Sequence, residues 1–297
     1  MPGPTTAKRS RRAARGAFAT LVLLGIGGYA FVTLYDRDGS QGPPHCAVAR
    51  ADGERAFTLK PQQAANAATI EAVASARGLP ERAVTIAIAT AMQESSLRNL
   101  DYGDRDSLGL FQQRPSMGWG SEEQVMDPVY AAGAFYDRLV EVPSYETMPL
   151  TEAAQEVQRS AFPDEYAKHE EEAALLAAAL TGRTPAALSC SWIVGAEQDG
   201  QPSEVYDRLV REFGEGVQPI GDGTQVTVPL RAGEETRRGW ELAHWAVAHS
   251  AELGIARISY GNHLWEAESS ADGWQEITEE NVASSTDELR LSVFSPV

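Results

Sequence analysis

Apolar residues recur at helical spacing through the first half of the chain and predict a run of helices there. Ile70, Val73 and Ala74, for example, share one face of a helix that stops at Gly78. The helices predicted in this way span residues 62–78, 81–97, 128–142, 151–160 and 164–180. Because this block shows no strand signal, we expect it to consist of helices and loops.

The pattern changes after Cys190. Alternating apolar and polar positions, many of them β-branched, now predict strands between and after helices. The predicted strands span residues 225–230, 256–260 and 288–294, and the predicted helices span residues 203–213 and 233–253. We therefore expect a domain boundary near residues 190–202 and a small α+β domain after it.

Residues 16–35 form an uncharged apolar run of 20 residues, preceded by five cationic residues between Lys8 and Arg15. This length predicts a transmembrane helix, and the positive flank predicts a cytoplasmic N-terminus with the main body outside the membrane. The alternative is a signal peptide cleaved near Ala30, which would make the protein secreted. The apolar run continues through Leu34 and favours the uncleaved anchor.

Charge excludes one class of partner for the main body of the protein. The chain has a formal net charge of −17, and since the first 35 residues contribute +5, the remaining residues carry −22. An acidic surface of this size argues against nucleic acid as a partner. It is typical of a soluble body outside the cell.

Cys46 and Cys190 are the two cysteines of the chain, and both follow the apolar run. If this part of the protein is exported, a single long-range disulfide between them is expected. The alternative is two unpaired thiols. The two cysteines lack metal-ligand spacing, so we expect no metal at either.

Glu94 is the candidate catalytic residue. Ala83, Ala87 and Glu94 share one face of the predicted helix 81–97, so the carboxyl lies beside the buried stripe. Partial burial raises the pKa of a carboxyl, which is what a general acid needs near neutral pH. The alternative is a helix-end glutamate that pairs with Arg98.

The residues around Glu94 resemble a known signature. Glu94-Ser95, followed by Gly109-Leu110-Phe111-Gln112, is similar to the Glu-Ser … Gly-Leu-Met-Gln motif of the lysozyme-like soluble lytic transglycosylases, and the resemblance covers roughly residues 58–182. It implies that Glu94 is the sole catalytic acid and base. It also implies that Ser95, Gln112 and the adjacent Gln113 shape a sugar cleft.

This sequence departs from the family after residue 154, where the family's Ala-Tyr-Asn-x-Gly segment has no clean match. Either Gln158 or Tyr166 could take the place of the family's tyrosine, and the sequence leaves both open. Phe111 and Trp119 are candidate sugar-stacking residues, with core packing as the alternative for Trp119.

Three aspartates that follow Glu94 are candidates for the second carboxylate that glycoside hydrolysis uses, although such residues are more often solvated loop caps. They are Asp101, Asp104 and Asp106.

Residues 219–295 resemble the C-terminal domain of bacterial cell-wall proteins that is similar to the zinc D-Ala-D-Ala carboxypeptidases. Glu288 and Arg290 stand where that family has two histidines in its terminal strand. Arginine is not a zinc ligand, and a catalytic zinc needs three protein ligands. His244 and His249 are five residues apart on a helix and diverge. We therefore expect a degenerate domain without metal.

Together these observations predict a mainly α lysozyme-like domain and a small α+β C-terminal domain behind one N-terminal transmembrane helix. The expected segments are a cytoplasmic basic tail (1–15), the anchor (16–35), a linker (36–57), the transglycosylase domain (58–190), a connecting segment (191–218) and the peptidase-like domain (219–297).

The expected function is that of a membrane-anchored, extracytoplasmic glycosidase acting on the MurNAc-GlcNAc β-1,4 bond of peptidoglycan, as a lytic transglycosylase or a muramidase. Glycan strands are the expected partner, the N-terminal helix is the expected contact with the membrane, and no cofactor is implied. The alternative is a non-catalytic protein of the cell envelope that binds or scaffolds peptidoglycan.

Overall fold

Helix α1 (Pro61–Ala76) is buried around most of its circumference, because alanine and other small residues occupy most of its positions. Of its 16 residues, 11 are buried, which is the pattern of a helix at the centre of a core.

The computed structural model of the protein describes residues 43–159, 163–192, 199–233, 235–277 and 286–294. Contacts group residues 43–297 into one compact unit.

Seven further α-helices are present in the part of the chain that the structure describes. They are α2 (Glu81–Ser95), α3 (Glu122–Val125), α4 (Pro128–Leu139), α5 (Leu150–Gln158), α6 (Glu170–Leu180), α7 (Pro202–Phe213) and α8 (Glu235–Leu253). Short 3-10 helices span Pro115–Met117, Pro163–His169, Gly214–Gly216 and Ser270–Asp272. Helix α1 packs against α2, α4, α7 and α8, so the core joins helices from both halves of the chain.

A three-stranded antiparallel sheet brings together residues that are far apart in sequence. Strand β1 (His45–Ala49) pairs on one side with β2 (Arg55–Leu59) and on the other with β3 (Leu188–Ser191). Cys46 lies directly opposite Cys190 in this ladder, and the two form a disulfide. The predicted cysteine pairing is therefore confirmed.

A second sheet has six antiparallel strands in the order β4-β5-β9-β6-β7-β8. Its strands are β4 (Ile220–Asp222), β5 (Gln225–Pro229), β6 (Ile255–Tyr260), β7 (His263–Glu266), β8 (Gln275–Glu276) and β9 (Glu288–Val293). Leu289, Leu291 and Val293 alternate with partly exposed residues along β9. Helix α8 packs on β6 and β9, so this alternation marks the face of the sheet that the helix covers.

The expected mainly α fold class is wrong. Strands β1, β2 and β3 lie before residue 192, where the sequence predicted helices and loops, and they form a sheet of their own. These strands have only four or five residues each. Alternation over so few positions is a weak signal, and β1 lies in a segment whose Gly and Pro content is typical of a linker.

The transmembrane helix expected over residues 16–35 lies outside the described residues. Within the described ranges, no helix is both long enough and apolar enough to cross a membrane.

Buried charges join α7 to α8 and to the central helix. The side chain of Glu212 is fully buried and accepts hydrogen bonds from Trp245 Nε1 at 2.7 Å and Thr69 Oγ1 at 3.1 Å. Arg208 Nη1 lies 3.1 Å from its Oε1, and His249 Nε2 lies 3.6 Å from its Oε2. Burial raises the pKa of Glu212, but the positive charge of His249 and the hydrogen bonds together hold this pKa below its usual value.

Replacing both Cys46 and Cys190 by serine should lower the free energy of unfolding by about 3 to 5 kcal/mol, because the disulfide closes a long loop that is otherwise free in the unfolded chain. The bond joins residues 144 positions apart. Urea unfolding with and without a reductant measures the effect. The double-serine variant should be insensitive to the reductant, and an unfolding midpoint equal to that of the oxidised wild type would contradict the prediction.

Glu212→Gln should lower the free energy of unfolding by about 3 to 5 kcal/mol, because it leaves Arg208 and His249 without their buried counter-charge. The matched control is Glu252→Gln, since Glu252 also contacts Arg208 and His249 but its side chain is 50 % exposed. Urea unfolding at pH 7 compares the two variants. Equal losses in both would show that burial of the Glu212 charge is not what stabilises this cluster.

Candidate active site

Helix α2 places Glu94 one residue before its own end. Its residues from Ala83 to Met92 are all buried, so the direction of the helix is set by core packing. The helix then ends in an unusual way, because Ser96 and Leu97 both have left-handed backbones, with φ of 55° and 57°. The chain turns sharply there, and Glu94 is left at the boundary between the core and a surface cleft.

The hydroxyl of Ser95 ties this helix end to the following turn. Ser95 Oγ donates to the carbonyl oxygen of Leu110 at 2.7 Å and also lies 3.1 Å from the carbonyl oxygen of Ala91. Ser95 itself is 3 % exposed. Its side chain therefore supports the site from within the protein and does not face the cleft.

Gly109 shapes the turn that faces Glu94. Leu108 and Gln113 exchange backbone hydrogen bonds of 3.0 and 2.9 Å across it. Gly109 has φ of 78°, and a Cβ at this position would lie 2.3 Å from the carbonyl oxygen of Val125. The glycine is thus required by both backbone conformation and close approach. Gln112 also has a positive φ, 47°, and its side chain lines the cleft.

The Glu94 carboxyl is half-buried and hydrogen-bonded by two side chains from later in the chain. Tyr166 Oη donates to Glu94 Oε1 at 2.6 Å, and Gln158 also donates to this carboxyl. Burial raises the pKa of Glu94 above its ordinary value, while the bonds from Tyr166 and Gln158 act in the opposite direction. The net result is a raised pKa, since desolvation outweighs the two hydrogen bonds.

Gln158 and Tyr166 were alternatives in the sequence, and the structure brings both to Glu94. Gln158 is the last residue of α5, and its Nε2 donates to the carbonyl oxygen of Phe111 at 2.7 Å. It thereby links Glu94 to the turn. Tyr166 is fully buried in the 3-10 helix Pro163–His169. One carboxyl therefore has an amide donor on the turn side and a phenol donor on the core side.

Glu94 lines a cleft of about 1000 Å³. Of the residues predicted to bind substrate, Gln112, Trp119 and Gln158 line it together with Glu94. Asp104, a candidate second carboxylate, also lines it, whereas the sequence did not single out lining residues such as Arg114, Met117, Arg138, Met148, Glu156 and Arg159. A cleft of this size is large enough for several sugar rings.

Besides Tyr166, three further predicted substrate residues lie inside the protein. Phe111 is 0 % exposed and stacks on Phe135 with ring centroids 4.7 Å apart. Gln113 is 1 % exposed and donates to the carbonyl oxygen of Ala131 at 3.0 Å. With Ser95, these residues hold the turn in place, so their side chains support the cleft and do not line it.

The aspartates that follow Glu94 have different surroundings. Hydrogen bonds from the Ser116 side chain, from the Ser116 backbone N–H at 2.8 Å and from Arg114 Nε at 2.8 Å lower the pKa of Asp106. Asp101 and Asp104 are exposed, and Asp104 lines the cleft. Exposed Glu141 and Glu156 also line it. Several cleft carboxylates are thus solvated, unlike Glu94.

The positions where the sequence resemblance places two zinc ligands of the peptidases carry an ion pair here. Arg290 Nε donates to Glu288 Oε1 at 2.7 Å on β9. His244 is buried and lies 2.7 Å from the carbonyl oxygen of Ala179, while His249 contacts Glu212. No three metal-ligating side chains converge anywhere in the described ranges.

One comparison with known proteins matches part of the chain to a protein family. Residues 205–288, from α7 to the start of β9, match the family described as VldE, C-terminal domain. A search of curated proteins finds no match to this chain. The similarity covers α8 and strands β4 to β8 of the second sheet, ends at the first residue of β9 and does not reach Glu94.

Tyr166→Phe should raise the pKa of Glu94 further, because it removes a hydrogen bond that stabilises the carboxylate. Glu94 then keeps its proton to higher pH. The titration of the Glu94 side-chain carboxyl, followed by ¹³C NMR, measures the shift. Tyr206→Phe, at an exposed tyrosine of α7, is the control and should leave the titration unchanged. A Glu94 pKa that stays constant or falls in Tyr166→Phe would contradict the prediction.

Proposed function

We propose that the protein cleaves the glycosidic bond between MurNAc and GlcNAc in peptidoglycan, as a lytic transglycosylase. The observation that carries this proposal is the half-buried Glu94 carboxyl, with a raised pKa, at the wall of a large cleft. Its position after a buried helix and opposite the Gly109 turn agrees with the resemblance of the Glu94-Ser95 and Gly109–Gln112 segments to that enzyme family.

Glu94 first acts as a general acid. The raised pKa favours the protonated form of Glu94, and the proton passes to the glycosidic oxygen as the bond to the sugar C1 breaks. Glu94 is then a carboxylate. It accepts the proton of the sugar's own C6 hydroxyl, whose oxygen bonds to C1 and closes a 1,6-anhydro ring. The carboxyl is protonated again at the end of the cycle.

Tyr166 and Gln158 support the second half of this reaction. Both donate hydrogen bonds to the Glu94 carboxyl and favour its charged form. Burial favours the protonated form, so the two influences are opposed. A group that donates and then recovers a proton needs both states to be accessible, and this balance supports one residue acting as acid and base.

The second sheet with α8 has a non-catalytic role in this proposal. Its Glu288–Arg290 ion pair takes the place of the zinc ligands in the resembling peptidases, which favours binding or positioning of the wall over hydrolysis of peptides. The disulfide between Cys46 and Cys190 is typical of proteins in an oxidising compartment, which supports action outside the cytoplasm.

Glu94→Gln should reduce the release of soluble products from purified peptidoglycan by about 100-fold or more, because the amide cannot donate the required proton. Mass spectrometry of the products made by the full chain identifies the reaction. We expect 1,6-anhydro muropeptides from the wild type. Glu156→Gln, at an exposed carboxylate of the same cleft, is the matched control and should retain activity.

Other products would overturn specific parts of the proposal. Reducing-end products would identify a hydrolase, with a second carboxylate activating water. Equal activity in Glu94→Gln and the wild type would remove Glu94 from the mechanism. Binding without any product release from the wild type would identify the non-catalytic, peptidoglycan-binding alternative.

A further inference from the structure

Two arginines of the cleft come from the ends of different helices. Arg138 lies in the last turn of α4, and Arg159 caps the C-terminus of α5 with a left-handed backbone, φ of 54°. Both line the cleft that contains Glu94. Their approach is a result of the packing of α5 against α4, since 21 positions separate them in the chain.

Arg138 is held in place by uncharged groups. Its guanidinium carbon lies 3.3 Å from the centroid of the Trp119 ring, and its Nη2 donates to the carbonyl oxygen of Gly118 at 3.2 Å. Stacking on an aromatic ring orients a guanidinium without neutralising it. One face of Trp119 is thus covered by Arg138, which argues against that face as a platform for a sugar ring.

Neither guanidinium forms an ion pair with a described residue. No carboxylate oxygen in the described ranges lies within 4.0 Å of either one, whereas Arg114 of the same cleft is paired with Asp106 at 2.8 Å. Burial lowers the pKa of Arg138, and the positive charge of Arg159 lowers it further, with Glu141 opposing. The two cations are therefore close enough to repel each other.

Carboxylates are available in the chain and in the cleft, but within the described ranges none forms an ion pair with Arg138 or Arg159. The protein has 42 acidic residues and 25 basic ones, so carboxylates are plentiful. Asp104, Glu141 and Glu156 line the same cleft but remain exposed. Two adjacent guanidinium groups that face a cavity and lack a carboxylate are arranged to receive one from a ligand.

We propose that Arg138 and Arg159 form an anion subsite that binds a carboxylate carried by the substituents of the glycan substrate. The guanidinium group is planar and donates two parallel hydrogen bonds to a carboxylate, and two such groups around one cavity favour an acidic substituent over a neutral one. This inference rests on the proposed function, because it assumes that the Glu94 cleft holds a glycan. The carboxylate of a substituent is the feature of the glycan that the cleft selects.

Binding of the full chain to two forms of peptidoglycan tests the proposal. One form is native, and in the other the free carboxylates are converted to neutral methylamides with a carbodiimide and methylamine. The Glu94→Gln background prevents turnover during the measurement. We expect about tenfold tighter binding to the native form, the size of one charge-assisted contact.

The sign of this preference is diagnostic. Because the protein carries a net charge of −17, long-range electrostatics alone would favour the neutralised form. Arg138→Gln and Arg159→Gln, each in the Glu94→Gln background, should lose most of the preference for native peptidoglycan. Arg55→Gln makes the same charge change at an exposed residue of β2 outside the cleft and should keep it.

Arg159→Gln still tests the subsite if Arg138→Gln changes the packing of the Trp119 ring. Arg159 is exposed and its backbone N–H is bonded within its own helix end, so its side chain is not part of the core. Its replacement is therefore expected to leave the urea unfolding midpoint unchanged. A preference that survives in Arg159→Gln, or equal binding of both forms by the Glu94→Gln protein, would overturn the anion subsite.

Cleavage by the wild type, measured on the same two substrates, separates this inference from the proposed function. Equal cleavage of both forms, unaffected by either arginine variant, would overturn the subsite and leave the glycosidase standing. An arginine-dependent binding preference without any cleavage by the wild type would overturn the glycosidase and leave the subsite standing.

Discussion

The hydrogen bond from the Ser95 hydroxyl to the carbonyl oxygen of Leu110, 2.7 Å long, joins the end of a buried helix to the turn that faces it. The candidate catalytic site depends on that junction. Glu94 directly precedes Ser95, and Gln112 lies two residues after Leu110, so this bond, together with the bond from Gln158 to the carbonyl oxygen of Phe111, holds the candidate acid close to the turn. Gly109 permits it, because no larger residue fits beside Val125.

The surroundings of Glu94 resolve a conflict between two chemical requirements. A carboxyl that donates a proton near neutral pH needs desolvation, which raises its pKa. A carboxyl that accepts a proton needs surroundings that stabilise its charged form. The core side of α2 supplies desolvation, and Tyr166 and Gln158 supply hydrogen bonds to the carboxylate. The same wall of the cleft therefore serves both steps of the proposed reaction.

Buried Glu212 is paired with opposite charges inside the protein, whereas two arginines of the cleft are not paired within the described ranges. Glu212 is buried but is surrounded by Arg208, His249 and two neutral donors, so its charge is compensated within the fold. Arg138 and Arg159 lie beside solvent without a carboxylate partner. A compensated cluster stabilises the packing of helices, whereas an uncompensated pair is available to a ligand. This difference is the basis for assigning the first to structure and the second to recognition.

The sequence by itself determined the helices other than α3 and the 3-10 turns, the strands β5, β6 and β9, the pairing of Cys46 with Cys190 and the position of Glu94 near a buried face. Each of these follows from local periodicity or from simple counting. Only the tertiary structure decided the three-stranded sheet, whose β1 and β3 are separated by nearly half of the chain. It also brought Tyr166 to Glu94, from 72 positions away, and Arg138 to Arg159. Local patterns report how each segment is buried, whereas the convergence of polar side chains on one cleft depends on how helices pack, which no single segment encodes.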